Sequence, residues 1–364
     1  MKVVIIGAGV AGLAIGWRLV QAGSTVTVLE RAQAGKGATW AAAGMIAATA
    51  ELGDAPQSEV ELGQKSCAMW PDFARQIEEA SGIAIGYAQT GSLLVATDAK
   101  DAADLTSRVS NNPDLKIVTP ADARAMEPLL SADIRAALFA EKDARVNNRA
   151  LGRALAQAFV RAGGTLVASE AVIRIEHEAG RAVAARTPFS WYEADAFVLA
   201  AGAWSGLIEG LPREAIPPVK PMKGEMLALD PPPGATLPSR TIWGNEVYLV
   251  PRGGRLLVGA TLEDAGFDTA LSEAAADWLS ARALSLIPSL KDWTICEHWA
   301  GLRPGSPDGL PILGESACRG LYIASGQYRN GILFAPAITE IVSGLVLGRV
   351  AELSAFDPKR FAAN

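Results

Sequence analysis

The chain has 364 residues, half of them hydrophobic, and its 33 Lys and Arg residues against 39 Asp and Glu residues give a net charge of −6. That length accommodates two domains that share a large core. The negative charge disfavours nucleic acids and anionic membrane surfaces as partners, and no uninterrupted apolar stretch of the sequence is long enough to span a bilayer.

The first thirty residues predict a nucleotide-binding βαβ unit. An apolar, β-branched run at 3–6 is followed by a glycine-rich turn, a stretch rich in Ala and Leu, and a second apolar run at 25–29. In this context Gly7 permits the tight turn, Gly9 lets the backbone approach a pyrophosphate, and Gly12 allows close packing of helix on strand. We expect the turn and the helix N-terminus to bind the phosphates, through Gly7, Gly9, Val10, Ala11 and Gly12.

Glu30 follows the second apolar run and is placed to accept hydrogen bonds from ribose hydroxyls. Its charge would repel a 2′-phosphate, which disfavours NADP. The sequence therefore predicts an adenine dinucleotide ligand. Because the apolar N-terminus is the turn itself, we do not interpret it as a secretory signal.

Histidine and cysteine are scarce. The histidines are His177 and His298, which leaves little for a His-based metal site or a Ser-His-Asp triad, and a packed core histidine is the favoured interpretation of His298. Cys67, Cys296 and Cys318 lack metal-ligand spacing and cannot all pair. We therefore expect buried thiols, no metal site and a reducing, cytoplasmic location.

The next segments alternate between loop, helix and strand patterns. Residues 35–49 are rich in Gly, Ala and Thr and predict a flexible loop rather than a core element. Apolar residues at helical spacing predict a helix at 59–81, and a continuous apolar run predicts a strand at 91–97.

The second half of the chain continues this alternation. An amphipathic helix is predicted at 149–162, and an apolar strand at 197–201 leads into Gly202, a second approach to the same cofactor. Residues 219–261 are rich in strands and include a hairpin. The chain closes with a strand at 321–324 and a helix from Ile332 onward.

Because the apolar βα segments are separated in sequence, we expect one α/β domain to assemble from residues 1–47, 145–215 and 297–364. Residues 48–144 and 216–296 then build a second α+β domain on a large antiparallel sheet. The first domain would bind the nucleotide and the second the substrate.

Six ordered motifs resemble the D-amino-acid oxidase family of FAD enzymes, and within it the glycine oxidases of thiamine biosynthesis. The resemblance covers nearly the whole chain and is carried by residues 7–12 with Glu30, 38–45, 198–205, 248–252 with 258–261, 299–304 and 326–333. It implies an FAD-binding Rossmann-like fold of the glutathione reductase and D-amino-acid oxidase type. It also suggests a homotetramer.

The resemblance implies that FAD is bound without a covalent bond, since neither the 299–311 segment nor the 326–333 motif contains a cysteine. The small residues at 38–45 would let the backbone lie against the flavin, and the helix near Ile332 would direct its positive end toward the flavin C2 carbonyl. Beyond the glycine turn, the implied FAD-binding residues are Glu30, Arg31, Ala38, Thr39, Ala43, Gly44, Met45, Val172, Ala201, Gly202, Trp204, Gln327, Tyr328, Arg329, Asn330, Gly331, Ile332 and Leu333.

The resemblance also implies a substrate site without a dedicated acid or base. Arg303 and Arg329 match the positions that bind the substrate carboxylate, because a guanidinium fork pairs bidentately with a carboxylate; the alternative is a role in anchoring loops. Tyr248 either points its hydroxyl at the carboxylate or packs in the hairpin. Met45 and Leu262 would form an apolar wall, and Gln327 and Leu262 stand where His and Met are usual.

The implied reaction is oxidative deamination of a small primary or secondary amino acid, with O2 as acceptor and H2O2 as product. Glycine is the leading substrate, followed by sarcosine and small D-amino acids. Three alternatives stay open: a dehydrogenase of the same fold, an amine or imino-acid oxidase with a larger substrate, and an FAD-binding scaffold protein.

Overall fold

The computed structural model describes residues 1–53, 55–350 and 353–361. Its strands, numbered along the chain, are β1 Lys2–Ile6, β2 Thr25–Leu29, β3 Met45–Ile46, β4 Ser92–Ala96, β5 Leu115–Val118, β6 Ala136–Ala140, β7 Ala144–Arg145, β8 Thr165–Val167, β9 Arg174–Glu178, β10 Arg181–Arg186, β11 Trp191–Glu193, β12 Ala196–Leu199, β13 Lys220–Asp230, β14 Thr241–Gly244, β15 Val247–Arg252, β16 Arg255–Gly259, β17 Thr294–Gly305, β18 Ile312–Glu315 and β19 Leu321–Ser325.

The α-helices are α1 Val10–Gln21, α2 Ala38–Ala41, α3 Ala48–Glu51, α4 Gln57–Ser81, α5 Ala99–Ser107, α6 Pro120–Met126, α7 Asn148–Arg161, α8 Glu273–Leu286 and α9 Ala335–Val346. Short 3-10 helices lie at Arg108–Asn111, Gly202–Leu207, Arg213–Ala215, Pro288–Asp292 and Pro358–Phe361.

The N-terminal βαβ unit forms the centre of a mostly parallel sheet. Among the described residues its strand order is β18-β19-β12-β1-β2-β8. All neighbours pair in parallel except the edge strand β18, which runs antiparallel to β19. Residues 3–6 of β1 are buried, as expected of a strand covered on both faces. The α/β prediction for the segments near residues 1, 150, 200 and 320 is confirmed.

The alternation of side chains along β1 divides the core between the two faces of this sheet. Val3 and Ile5 pack with the helices α1, α4, α7 and α9, whereas Val4 and Ile6 pack toward the small antiparallel sheet β11-β10-β9. The first face holds the largest fully buried side chains, including Trp17, Trp70, Phe159 and Phe334.

A second large sheet has the order β17-β13-β16-β15-β14-β4-β6-β5 among the described residues. Its neighbours are antiparallel except β14 and β4, which pair in parallel. The predicted hairpin is the pair β15–β16. One face packs against α8, and the opposite face carries Met226, Val250, Leu257 and Trp299 toward the glycine- and alanine-rich segment at 38–45.

Three expectations need correction. Residues 35–49 are not simply a flexible loop, because they contain α2, β3 and the start of α3. A side chain from a distant segment also binds the backbone of α3, since Asp143 accepts hydrogen bonds from the amides of Thr49 and Ala50 at 3.0 and 3.2 Å. The last helix begins at Ala335 rather than Ile332, after a turn in which the Phe334 amide donates to the Asn330 carbonyl at 2.9 Å. Of the three thiols expected to be buried, Cys318 is buried, Cys67 is half-buried and Cys296 is exposed.

The division into two domains stays a prediction. Two strands cross the predicted boundaries: β17 runs across residue 297 and pairs along its length with β13 of the large sheet, and β7 runs across residue 145 and pairs with β3. The helix α4, predicted for the second domain, packs against α7 and α9.

We expect Gly12→Ala to destabilise the fold. A Cβ atom at Gly12 would lie 2.0 Å from the carbonyl oxygen of Gly7, so α1 would have to move away from β1. Such overpacking costs about 1–3 kcal/mol of unfolding free energy, which urea titration would measure. Gly37→Ala is the control, because a Cβ atom there meets no atom within 4 Å. Equal losses in the two variants would contradict the prediction.

Candidate active site

A cavity of about 480 Å³ runs from the carboxyl ends of β1, β2, β12 and β19 to the face of the large sheet. Parallel strands end at the same edge, so the residues that follow them meet there. This edge is where ligands bind in open α/β sheets. Most of the predicted site residues line this cavity.

The glycine-rich turn closes one side of the cavity. Gly7 has φ +106°, and a Cβ atom there would lie 2.4 Å from the carbonyl oxygen of Ala200. Only glycine therefore fits between β1 and the residue after β12. The first amides of α1 lack intrahelical acceptors, and the Thr39 hydroxyl accepts a hydrogen bond from the Val10 amide at 2.9 Å. The turn is a ready site for a phosphate anion.

Glu30 is held at the end of β2 by backbone hydrogen bonds. Its two carboxylate oxygens accept from the amides of Ala8 and Ala32 at 2.8 and 3.0 Å. A carboxylate has about four acceptor positions, so lone pairs remain for ligand hydroxyls. This geometry suits the predicted contact with a ribose.

The wall beyond Glu30 brings together residues that are far apart in sequence. The guanidinium carbon of Arg31 lies 3.5 Å from the centroid of the Trp204 ring, and both residues line the cavity. Val172, Ala201 and Gly202 line the same end. The structure thus assembles the residues predicted to hold the nucleoside part of the cofactor.

At the other end of the cavity the wall is mostly backbone. Ala38, Thr39, Ala43, Gly44 and Met45 all line it. Gly44 has φ +87°, and a Cβ atom there would lie 2.0 Å from the Val146 carbonyl oxygen. Close packing against the chain before α7 therefore requires glycine at this position.

The loop between β19 and α9 contributes Gln327, Tyr328, Arg329, Gly331 and Ile332 to the cavity wall. The Gln327 side chain is buried, and its Nε2 has no acceptor among the described residues. An unpaired buried donor is costly. A carbonyl oxygen of a bound ligand would satisfy it.

Three predicted contacts lie behind the cavity rather than on its wall. Gly12 is packed on Gly7. The Asn330 amide group donates to Glu59 at 3.3 Å, and the Leu333 carbonyl accepts from the Ser66 hydroxyl and the Trp70 indole at 2.7 and 3.0 Å. Asn330 and Leu333 therefore anchor the loop to α4.

Arg303 lies where the cavity meets β13 and β17. Its Nη1 donates to the carbonyl oxygens of Lys223 and Thr261, each at 3.2 Å. A Cβ atom on Gly224 would lie 2.1 Å from this nitrogen, so Gly224 makes room for the guanidinium. Arg303 has five N–H donors; Nη1 binds the two backbone carbonyls, and the guanidinium also hydrogen-bonds the Tyr248 side chain. Arg303 both anchors backbone and offers a fork to the cavity.

Tyr248 lies on β15 of the hairpin, and its side chain is next to that of Arg303. Its neighbours Val247 and Leu249 pack toward α8, while Tyr248 packs on the opposite face and lines the cavity. Its hydroxyl donates weakly to the Met226 sulfur at 3.8 Å. Burial raises the pKa of Tyr248 despite the Arg303 charge, so the phenol stays protonated and remains a donor. The two interpretations of Tyr248 are thus compatible.

Arg329 has a partner that the sequence did not indicate. Its Nε lies 3.1 Å from a carboxylate oxygen of Glu51, whose side chain is only 9% exposed and lines the cavity. Burial raises the pKa of Glu51, although Arg329 and Arg303 oppose this shift. Glu51 ends α3, just after the segment rich in Gly, Ala and Thr at 35–49, where no local pattern marks it as a functional residue.

Leu262 does not line the cavity and is 52% exposed. The preceding residue explains this, because the Thr261 side chain is held inward: its hydroxyl accepts from the Glu225 amide and donates to Glu263, each at 2.9 Å. The next side chain in an extended segment points to the other side. Met45 and Met226 are among the apolar residues that do line the cavity.

The residues present fit FAD. A glycine cradle at the start of a helix, a carboxylate at the next strand end and the unpaired Gln327 donor suit a pyrophosphate, a ribose and a flavin carbonyl respectively. None of the three cysteines lines the cavity. His298 lies outside it, 2.7 Å from the carboxylate of the buried Glu225.

The part of the chain that the structure describes holds no helix long and apolar enough to cross a membrane. Nor do its His, Cys, Asp and Glu side chains gather in groups of three or more that could hold a metal ion.

Comparisons with known proteins find relatives that match nearly the whole chain. The chain is 36% identical to the bifunctional protein ThiO/ThiG of Synechocystis over 99% of its own length, but it spans only 54% of that relative. The crystal structure of glycine oxidase from Geobacillus kaustophilus superposes with a TM-score of 0.91 at 33% identity, covering 98% of both chains. Iminodiacetate oxidase from Chelativorans sp. BNC1 superposes with a TM-score of 0.88 at 26% identity, over 98% of both chains.

The family model for FAD dependent oxidoreductases of the DAO type matches residues 2–345. This match covers the glycine-rich turn, both large sheets and every residue of the cavity wall. FAD is therefore the cofactor, and the chain belongs to the DAO family of FAD dependent oxidoreductases.

Proposed function

We propose that this protein catalyses the oxidative deamination of a small amino acid, with glycine as the leading substrate and O2 as the electron acceptor. Sarcosine and small D-amino acids come next. The observation that carries the proposal is that Arg303 lies beside Tyr248 and that both line the same cavity as Gly44 and Met45. Similarity to glycine oxidase from Geobacillus kaustophilus supports it.

FAD, bound without a covalent bond, would supply the two-electron oxidant for conversion of the amine to an imine, with O2 as the final electron acceptor and H2O2 as the product. The protein contributes position. The N–H groups of Arg303 that face the cavity would bind the substrate carboxylate, and the protonated Tyr248 hydroxyl would donate to the same group. Two contacts on one carboxylate fix the direction of Cα.

Arg329 is proposed as a second carboxylate ligand whose availability depends on Glu51. While the two are paired, the positive charge of Arg329 is largely balanced within the cavity wall. Arg303 is then the main carboxylate anchor. The substrate amine must be neutral when the hydride leaves, and we assign no acid or base to that proton.

The residues that line the cavity with Arg303 support a small substrate. They include the bulky side chains of Met45, Met226 and Tyr248, together with Gly44. A larger amine or imino acid is the second candidate, supported by the similarity to iminodiacetate oxidase. A dehydrogenase of the same fold would differ only in its electron acceptor.

The similarity to ThiO/ThiG proteins supports a place in thiamine biosynthesis, in which the imine would be passed to thiazole formation. A homotetramer and a cytoplasmic location complete the proposal. We also propose that residues 1–47, 145–215 and 297–364 form the FAD-binding domain and that residues 48–144 and 216–296 form the substrate domain.

The test is anaerobic mixing of the purified holoprotein with glycine, sarcosine, D-alanine, D-proline, iminodiacetate and bulkier D-amino acids. We expect glycine to bleach the flavin absorption band fastest, and air to restore it with formation of H2O2. Bleaching by larger substrates alone would refute the glycine assignment. Slow recolouring in air would identify a dehydrogenase, and no bleaching would refute amino-acid oxidation.

Replacing Arg303 should weaken substrate binding. Hydrogen bonds to charged groups contribute about 1.5–3 kcal/mol each, so we expect Arg303→Leu to lower kcat/KM for glycine by about 10- to 100-fold. Arg303→Lys keeps the positive charge but loses the forked guanidinium, so its kcat/KM should lie between those of Arg303→Leu and the unmodified protein. Arg255→Leu is the control, because Arg255 pairs with Asp230 on the exposed side of β16. A normal kcat/KM in folded Arg303→Leu would contradict the assignment.

Glu51 should make carboxylate binding depend on pH. As pH falls through its raised pKa, Glu51 becomes protonated and releases Arg329, so acetate, used as a carboxylate probe, should bind more tightly at lower pH. Glu51→Gln should bind acetate about tenfold more tightly at neutral pH, which equals about 1.4 kcal/mol, and should lose this pH dependence. Acetate inhibition constants measure both effects.

The matched control is Glu61→Gln, because Glu61 is an exposed carboxylate on α4 that contacts Gln57 and does not line the cavity. It should behave as the unmodified protein. If acetate binding in Glu51→Gln keeps the original pH dependence, the ion pair does not control Arg329.

A further inference from the structure

Four consecutive backbone carbonyls in the segment at the flavin end of the cavity accept hydrogen bonds from distant side chains. Asn148 Nδ2 donates to the carbonyls of Thr39 and Trp40 at 2.7 and 3.0 Å. Trp299 Nε1 donates to the Ala41 carbonyl at 2.9 Å, and Arg252 Nη1 to the Ala42 carbonyl at 3.3 Å. We call Asn148, Arg252 and Trp299 the carbonyl clamp.

The members of the carbonyl clamp are joined and shielded from water. Asn148 is fully buried, and its side-chain oxygen accepts a hydrogen bond from Arg252 Nη1. Trp299 is 5% exposed. Hydrogen bonds in such surroundings resist competition from water. The clamp therefore fixes the orientation of this backbone segment.

The outer side of the carbonyl clamp is closed by Arg149. Its guanidinium carbon lies 3.7 and 4.9 Å from the ring centroids of Trp40 and Trp299. The same guanidinium pairs with both carboxylate oxygens of Glu297 at 2.9 and 2.7 Å. This arrangement locks the Trp299 ring in place from the side away from the cavity.

None of the clamp residues lines the cavity, whereas residues 41–45 do. The carbonyls of residues 39–42 are thus bound from behind the wall. In a planar trans peptide the N–H points opposite to the carbonyl, so the Ala43 amide points to the side opposite the Ala42 carbonyl. It has no acceptor among the described residues.

We propose that Asn148 and Arg252 are positioning residues that hold the Ala42–Ala43 peptide so that the Ala43 amide points toward the flavin. The amides of Ala41 and Ala42 are already used, because they donate to the carbonyls of Gly37 and Ala38. Oriented backbone amides stabilise negative charge that develops nearby. Reduced flavin carries more negative charge than oxidised flavin, so the clamp should favour reduction as well as binding. This inference depends on FAD as the cofactor but not on the proposed substrate.

Arg252 adds charge to the same effect. Burial lowers its pKa to about 10, with nearby Arg149 acting in the same direction, so it remains a cation at neutral pH. It lies directly behind the Ala42 carbonyl. Its positive charge opposes any rotation of that carbonyl toward the flavin.

The neighbouring Asn147 offers a matched control. It caps α7 by accepting a hydrogen bond from the Ala150 amide at 3.1 Å, and makes no hydrogen bond to the 39–42 carbonyls. Asn147→Ala and Asn148→Ala remove the same atoms one residue apart. The first should lower thermal stability alone, because N-cap loss weakens the helix.

The experiment measures the FAD dissociation constant, the two-electron reduction potential of the bound flavin and the Tm of each purified holoprotein. We expect Asn148→Ala to raise the dissociation constant at least tenfold and to make the potential more negative by about 30 mV, a tenfold change in the reduction equilibrium. Asn147→Ala should leave the FAD dissociation constant within twofold of that of the unmodified protein. It should leave the potential within about 9 mV, which is a twofold change in the reduction equilibrium.

Equal FAD affinity and potential in Asn148→Ala and Asn147→Ala would overturn the proposal, whatever their Tm. If Asn148→Ala does not fold, Arg252→Lys decides, since it keeps the charge and both Asn148 donors but loses the guanidinium fork. It should shift the potential in the same direction by a smaller amount, and an unchanged potential would overturn the proposal. These readouts need no amino-acid substrate, so a failure of the glycine assignment would not affect them.

Discussion

The cavity depends on one constraint: at its narrowest points, backbone lies against backbone. Gly7 contacts the Ala200 carbonyl and Gly44 the Val146 carbonyl at distances that admit no Cβ atom. A wall made of main chain brings peptide dipoles close to the ligand, but every polar group that does not face the ligand must find another partner. The fold supplies these partners from behind the wall, through buried side chains of distant segments.

The same logic governs the arginines of the site. A guanidinium has several donors in fixed directions, so one side can bind the protein while another faces the cavity. Arg303 binds two backbone carbonyls and still presents N–H groups to a ligand. Arg329 instead faces a buried carboxylate, Glu51. The cavity wall therefore contains one arginine oriented by backbone carbonyls and one paired with a carboxylate, so the two differ in the positive charge that they present to the cavity.

The sequence predicts those features of the fold and the site whose residues lie close together along the chain. The β1–α1–β2 unit, its glycines and Glu30 lie within thirty residues, and the structure assembles them as expected. The alternation of side chains along β15 correctly predicts that Tyr248 and Val247 lie on opposite faces of the sheet. Glu51 and Asn148 have no local signal, because their partners lie 278 and 109 residues away in sequence. Leu262 shows the limit of a motif match. The Thr261 side chain is held toward β13 by its hydrogen bond with the Glu225 amide, so the side chain of the next residue, Leu262, points to solvent.

These differences divide the cavity into two ends with different origins. The phosphate turn at the nucleotide end is specified by short-range sequence and leaves little room for change, since a Cβ atom at Gly7 or Gly12 would clash with backbone. The reactive end is assembled from α3, β13, β15, β17 and the loop before α9, and its polarity depends on pairs such as Glu51 with Arg329. A substitution at one such pair alters charge at the substrate without disturbing the dinucleotide turn. One FAD scaffold can therefore serve different amine substrates, and the sequence motifs that identify the cofactor do not identify the substrate.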